Sequence, residues 1–360
     1  MNRNKYSRIL MIGLLGVLVA APGFAQKPYR VGTTAANFLE VGIGGSASAM
    51  GDAYVAVAND ITSIYWNPAG LGFMKKSEAA FSHQPWIADI GMEFAAVGLV
   101  LPTIGTVAFG LTYMGFGDMP VTSMDYTEGT GEQFTASDFA FSVAYSRRLA
   151  TWFSFGAAGK MISSKIWHCT GSAMAVDLGV LINSSFFSPT GNKDDGMKIG
   201  MSISNYGSRL QYDGMDLLQP IDVEASQIGI SRNEGNYKDA KGKFELGKWE
   251  LPLIFRIGVS VNPIASQHHR LTLAADALHP NNNQESVNLG AQYMFSMTGL
   301  GDFYVRGGYK ALFMKDSQYG PTFGAGLVMR MPGVSIKLDY AYRSLGVLGN
   351  PGCYSFGVLF

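Results

Sequence analysis

From residue 78 onward, apolar side chains recur at every second position along strand-length pieces of the chain. Over 334–343, Val334, Ile336, Leu338, Tyr340 and Tyr342 fall on one face, and Ser335, Lys337, Asp339, Ala341 and Arg343 on the other. Phe255, Ile257, Val259 and Val261 alternate in the same way with Arg256, Gly258 and Ser260. So do Phe139, Phe141, Val143 and Tyr145 with Ala140, Ser142 and Ala144, and Val287, Leu289, Ala291, Tyr293 and Phe295 with Asn288, Gly290 and Gln292. A period of two is that of a strand with unlike faces. About fourteen such pieces follow one another, an even number as bacterial membrane barrels require. They lie near 78–84, 91–101, 104–116, 134–148, 151–163, 172–186, 197–206, 251–262, 270–279, 285–297, 302–312, 319–330, 333–344 and 354–360. In the last piece Tyr354, Phe356, Val358 and Phe360 share one face, and the chain stops on an aromatic. A final strand with nothing after it is an open edge unless the sheet closes on itself. The expected fold is therefore all-β, a transmembrane antiparallel barrel spanning 78–360, with Tyr354, Phe356, Val358 and Phe360 as its signal for the barrel assembly machinery.

The connections carry a second pattern. Those at Pro102–Thr103, Ala150, Thr298–Gly301 and Met331–Pro332 are tight, whereas Gly117–Phe134 and Gly207–Glu250 are long. Short periplasmic turns alternate with long external loops in such barrels, which places both chain ends in the periplasm. The connection at 187–196 is longer than this scheme prefers. Inward positions carry Ser154, Gly156, Ala158, Gly179 and a few charges, among them Lys160, Asp177, Lys198, Arg256, Asp276, Arg306, Lys310, Lys337, Asp339 and Arg343. An open water pore would be lined by larger polar groups. Small residues imply a filled lumen, and residues 26–77 are the segment available to act as a plug. The inward charges are then expected to pair with one another and with that plug.

Composition supports a barrel. Glycine accounts for 45 of 360 residues, and charged residues are only 15%, both unusual for a soluble chain. Arg3, Lys5 and Arg8 precede an apolar run from Ile9 to Ala21, and Gly23-Phe24-Ala25 offers small residues at a cleavage point. Residues 1–25 therefore read as a signal peptide rather than a membrane helix. With those three cations removed, acidic residues outnumber basic ones, which argues against nucleic acid as a partner. Cys169 and Cys353 could pair in an oxidising compartment but make no disulfide scaffold. His83, His168, His268, His269 and His279 lack the convergent ligand spacing of a metal site. Ser82-His83 and His168-Cys169 put neighbouring side chains on opposite faces of a strand, so neither forms a nucleophile–base pair. No catalytic, cofactor or metal set is expected. The loop Gly207–Glu250 is long enough to be functional.

Residues 27–77 differ from the rest. Gly42-Ile-Gly44-Gly45 invites a phosphate-loop reading, but the βαβ setting that motif needs is missing. Close backbone packing against a wall explains the glycines better. Met50, Gly51 and Asp52 open the stretch Met50-Gly-Asp-Ala-Tyr-Val-Ala-Val-Ala-Asn-Asp60, and Trp66, Asn67, Pro68, Ala69 and Gly70 lie in Tyr65-Trp-Asn-Pro-Ala-Gly-Leu71. These about forty residues, with the lead-in Thr34-Ala-Ala-Asn-Phe-Leu39, resemble the N-terminal signature of the PorV/PorQ family. That family is related to the long-chain fatty-acid transporter barrels. Where its members usually carry Gly-Ala-Arg before Met-Gly, this chain reads Gly45-Ser-Ala-Ser. The resemblance implies a fourteen-stranded barrel in the outer membrane, surrounded by its lipid. It implies a non-enzymatic role in type IX secretion, with exported cargo proteins and other secretion-system subunits as partners. The fatty-acid-transporter relation implies an alternative, passive transport of hydrophobic small molecules.

Overall fold

The computed structural model describes residues 30–88, 90–221 and 240–360. The expected signal peptide at 1–25, the start of the N-terminal segment at 26–29 and the middle of the long loop lie outside the described residues. Fourteen strands make the wall. They are β1 Glu78–Pro85, β2 Gly91–Leu101, β3 Gly105–Pro120, β4 Gln133–Ala150, β5 Phe153–Ile166, β6 Cys169–Asn183 and β7 Lys198–Gly207. The second half comprises β8 Ile254–Ala265, β9 His269–Pro280, β10 Ser286–Met297, β11 Gly301–Leu312, β12 Pro321–Arg330, β13 Ser335–Arg343 and β14 Gly352–Leu359. Each pairs antiparallel with its neighbours, and β1 pairs with β14 from Glu78↔Leu359 to His83↔Tyr354. That seam closes the barrel, so the last strand is no longer an edge. Phe360 continues it by donating its N–H to the Ser77 carbonyl at 2.9 Å.

The alternation read from the sequence sets which way each strand faces. Leu338, Tyr340 and Tyr342 point outward, while Asp339, Ala341 and Arg343 are buried inside. The outward row is mostly apolar, with Tyr113, Tyr309, Tyr340 and Tyr354 toward one rim and Tyr145, Trp152 and Tyr293 toward the other. These are the aromatic belts of a bilayer-spanning wall. Leu338 stands near mid-strand on this face, 42% exposed in the absence of lipid. Leu338→Arg is expected to cost roughly 2–4 kcal/mol, measured by denaturant unfolding in lipid vesicles. An unchanged midpoint would mean that this face does not meet hydrocarbon.

One rim carries the turns at 102–104, 151–152, 266–268, 298–300 and 331–334, together with Phe360. The other carries the loops at 121–132, 208–253, 313–320 and 344–351. Two connections break the pattern expected from the sequence. β5 and β6 meet in a two-residue turn, Trp167-His168, on the loop rim, with Trp167 in the left-handed region at φ 51. The link 184–197 is the long one on the turn rim. Phe186 and Phe187 belong to it, packed edge-on at 4.3 Å, so the sixth strand ends at Asn183 and not at 186 as its apolar run suggests.

The N-terminal segment enters from the loop rim. Thr34 bridges Glu250, and the Ala35 N–H donates to the Glu250 carbonyl at 2.9 Å. Asn282, between β9 and β10, donates to Thr34 Oγ1 at 2.8 Å. The chain leaves at the turn rim, where Ser77 leads into β1. Position 34 thus lies at the loop rim, whereas both ends of the barrel wall, Ser77 and Phe360, meet at the turn rim.

Candidate functional site

Inside the wall the segment from Ala36 to Met74 is almost wholly buried. It forms one turn of α-helix at Gly45–Ala49, another at Ser63–Trp66 and a 3-10 helix at Pro68–Phe73. Asn67 is extended at φ −162 and ψ 102, as the residue before a proline must be. Its Oδ1 caps the next helix by accepting from the Ala69 N–H at 3.2 Å. Its Nδ2 donates to the carbonyls of Val55 and Val180, both at 3.0 Å, tying two passes of the segment to β6.

Followed along its length, the segment meets every strand of the wall. Gly45 donates its N–H to Ser355 Oγ on β14 at 2.7 Å and lies against Asp339 on β13. The Ala49 carbonyl accepts from Thr322 on β12. Met50 and Gly51 press on Gly290 of β10 and Gly308 of β11. Val55 and Ala56 press on Gly200 of β7 and Gly258 of β8, and Asp276 of β9 accepts the N–H groups of Tyr54 and Val55 at 2.7 and 2.8 Å. Ile61 donates to Glu78 of β1 and touches Gly98 of β2. Ile64 lies on Gly110 of β3. Asn67 and Pro68 sit on Gly179 of β6 and Gly156 of β5, and Ser146 of β4 and Ser154 of β5 both donate to the Ala69 carbonyl. Gly70 is enclosed by the Ala58 carbonyl and Ser63.

At Gly156, Gly200, Gly290 and Gly308 a side chain would occupy space that the segment's backbone fills, and at Gly98 and Gly110 space that the Ile61 and Ile64 side chains fill. A Cβ on Gly51 would stand 2.7 Å from the Tyr309 nitrogen, at a backbone φ of 63. The small inward residues read from the sequence thus serve as a bed for main chain. The receivers Gly200, Gly258, Gly290, Gly308 and Gly324 were not legible one by one. Their only signal was their inward phase within an alternating strand.

The inward charges divide into two groups. Four ion pairs form: Lys160 with Asp177 at 2.6 Å, Arg306 with Asp339 at 2.6 Å, Lys310 with Asp52 at 2.6 Å, and Lys337 with Asp60. Lys337 also faces Glu78 at 3.6 Å. Asp60 further accepts from the Thr62 N–H at 3.0 Å. The other group departs from the pairing expected of it. Asp276 is taken by backbone N–H groups, and Arg256 donates to Ser204 and covers the rings of Tyr65 and Trp66. Arg343 lies over Trp86 at 5.0 Å. Trp66 donates its indole N–H to the Ile43 carbonyl at 3.1 Å and packs edge-on against Tyr65 at 4.9 Å.

The proposed insertion residues behave alike. Tyr354, Phe356 and Phe360 are exposed on the outer face and Val358 is partly so, while Cys353 is buried inward against Ala49 and Ala341. Cys353 and Cys169 are both free thiols. The histidines pair locally: His83 with Glu93, His168 with Asp216, His279 with Glu285, His269 with Tyr293 Oη, and His268 with the Ser296 carbonyl.

The long loop is held to the rim. Tyr212–Gly214 pairs with Cys169–Gly171, and Leu210 and Trp249 exchange backbone bonds at 2.8 and 2.9 Å. Leu218–Ile221 pairs with Ala240–Lys243. Asp213 lies against Lys243, which holds its carboxyl below the ordinary range, and His168 does the same to Asp216.

Against this geometry, the family model described as "Type IX secretion system protein PorV" matches residues 24–225, more than half of the chain. The chain belongs to the PorV family. No curated protein matches it. Among solved structures this PorV-family barrel is similar to a Pseudomonas aeruginosa FadL homologue, at 12% identity and a TM-score of 0.51, over 92% of this chain and 99% of that one. It is also similar to the Pseudomonas putida toluene transporter TodX, at 10% identity and a TM-score of 0.54, over 88% and 97%. The Ralstonia pickettii toluene transporter TbuX gives 10% identity and a TM-score of 0.52, again over 88% and 97%. At these identities the likeness is one of fold. Barrel and family together point to the outer membrane.

Proposed function

We propose that this PorV-family barrel is a non-enzymatic component of type IX secretion that holds exported cargo on its loop-side face. In this reading residues 26–77 are a plug, the loops face the exterior and the turn rim faces the periplasm. The observation that carries it is the course of the N-terminal segment, which touches all fourteen strands. The cavities left around it are small. One of about 80 Å³ is lined by Glu40, Asp52, Arg256 and Lys310 among others, and one of about 10 Å³ lies between Phe38, Ile64, Tyr65 and Phe94. An apolar cavity of roughly 150 Å³ is what binds a molecule such as benzene. Both the size and the charge of these spaces favour the scaffold over passive transport of hydrophobic molecules.

The test is to remove the outer part of the long loop. Leu218 and Lys243 face each other across the short ladder, so a two-residue turn can replace 219–242 without disturbing the rim. Co-purification of secreted proteins is expected to fall to background while the heat-dependent gel shift of the folded barrel persists. Retained cargo would overturn the reading. Lipid uptake that survives trimming but responds to Trp66→Ala would favour the transporter.

Phe360, in the same reading, addresses the chain to the assembly machinery, together with Tyr354, Phe356 and Val358. Deleting Phe360 removes one outward ring and one hydrogen bond to Ser77. Membrane levels of the deletion are expected to fall severalfold through periplasmic proteolysis, while the little that inserts unfolds near the normal midpoint. Normal levels, read by immunoblot of outer-membrane fractions, would remove this role.

A further inference from the structure

The turn-side mouth of the barrel carries a cleft that the loop face does not use. It measures about 450 Å³ and is lined by Lys75, Arg148, Thr151, Asn192, Lys193, Asp194, Asp195 and Arg270. Lys198, the first residue of β7, lies within electrostatic reach of Lys75, Arg270 and both aspartates. Five cations therefore surround two carboxylates. Asp195 is engaged, bound to Arg270 at 2.5 Å and to Thr190 Oγ1 at 2.7 Å. Lys75, Arg148, Lys193 and Lys198 make no ion pair among the described residues. On another part of the same rim Asp302 and Arg330 neutralise each other at 2.6 Å.

The site is built before any ligand arrives. The 184–197 strap is closed by Ser184 N–H to the Met197 carbonyl and Met197 N–H to the Phe186 carbonyl, both at 2.8 Å. Arg148 lies over the Phe73 ring at 5.1 Å and donates to the Thr151 carbonyl at 2.8 Å. Arg148 and Arg270, held in this way, lose little freedom on binding an anion.

We infer that this cleft docks an acidic peptide segment of another protein, its carboxylates lying between the strap and the rim at Lys75 and Arg148. The position excludes a lipid headgroup. Arg148 and Arg270 project inward from β4 and β9, which are five strands apart, so the cleft lies over the lumen and not at the bilayer edge. Its lining is polar and offers no bed for an acyl chain. Its size argues against a single small anion, since a water's share of volume is about 30 Å³ and the cleft is many times larger. Guanidinium and ammonium groups together suit several carboxylates in a row.

The inference does not depend on cargo binding at the loops. A fluorescent hexa-aspartate peptide is titrated into the full-length barrel in detergent. Saturable binding is expected at about 0.01 M salt, weakening about tenfold by about 0.15 M as screening shortens to roughly 8 Å. Lys75 and Lys193 are exposed, so the double variant Lys75→Gln/Lys193→Gln folds normally and should bind about tenfold more weakly. Asn192→Lys should bind more tightly, and the barrel lacking 219–242 should bind as before. Absence of saturation at low salt, unchanged affinity in the double variant, or loss of binding with the trimmed loop would each overturn the site. Displacement by equimolar inorganic phosphate would do the same, since the cleft would then be a small-anion site.

Discussion

A barrel whose chain lacks residues 30–70 is expected to conduct ions steadily in a planar bilayer, whereas the intact protein conducts little. The wall strands keep every ladder bond in this deletion, because the segment contributes no strand to the sheet. What disappears is the material lying on Gly98, Gly110, Gly156, Gly179, Gly200, Gly258, Gly290 and Gly308. A ring of fourteen strands encloses a lumen a little narrower than that of the 16–18-stranded porins, which are open channels. Conductance should therefore rise from background to a level within roughly an order of magnitude of theirs. Gly156→Val with Gly179→Val should give a smaller, flickering version, because added bulk there displaces only Asn67–Ala69. A correctly inserted deletion that stays silent would show that the segment is not what closes the lumen.

Lys337→Met is expected to lower stability by about 3–5 kcal/mol, the usual consequence of removing one member of a buried charged group. Lys337 sits on β13 facing Asp60 of the segment and Glu78 of β1. It therefore joins the N-terminal segment to β1 and to β13, the strands on either side of β14. Methionine fills most of the space but leaves two carboxylates buried without a counter-charge. The triple variant Lys337→Met/Asp60→Asn/Glu78→Gln should recover much of the loss, because neutral amides need only hydrogen bonds. Denaturant midpoints in detergent measure both. A neutral single variant, or a triple variant no better than the single, would mean that the three groups do not act together.

The wall was readable because a bilayer imposes one chemistry on every second residue. Phe141, Val143 and Tyr145 had to be apolar, so their strand announced itself. The rule lapses where strands leave the bilayer. Ser163-Ser164-Lys165-Ile166 continues β5 beyond the apolar belt, supported by Ser164 bonding to Asp138 and Tyr212. The two-residue turn at Trp167 therefore reads in the sequence as part of a longer loop. Phe186 reads in the opposite sense, as the end of a strand, because its ring is apolar, yet it is covered by Phe187 on the turn rim. The segment was legible as glycine-rich packing material but not in its path. Asp276 meets Tyr54 across a separation of 222 residues, and nothing in either residue's neighbours names the other. The carboxylate could as well have sought a cation, as Asp339 does with Arg306.

The course of the segment around the whole inner wall has a consequence for how the molecule comes into being. Gly45 bonds Ser355 on the closing strand across 310 residues, and Ala49 bonds Thr322 across 273. The first part of the chain to be made is thus completed only by the last, an arrangement that slows folding. Once β1 and β14 have zipped, the ring leaves no clearance for a Cβ at many of the points where the segment passes. A closed, empty cylinder could not be threaded afterwards. The strands must be wound around residues 36–74 as around a mandrel, with the seam as the final stitch. The segment can then exchange only by reopening that seam. Its amide hydrogens at Gly45 and Val55, though in short irregular turns, should exchange as slowly as those of the wall itself.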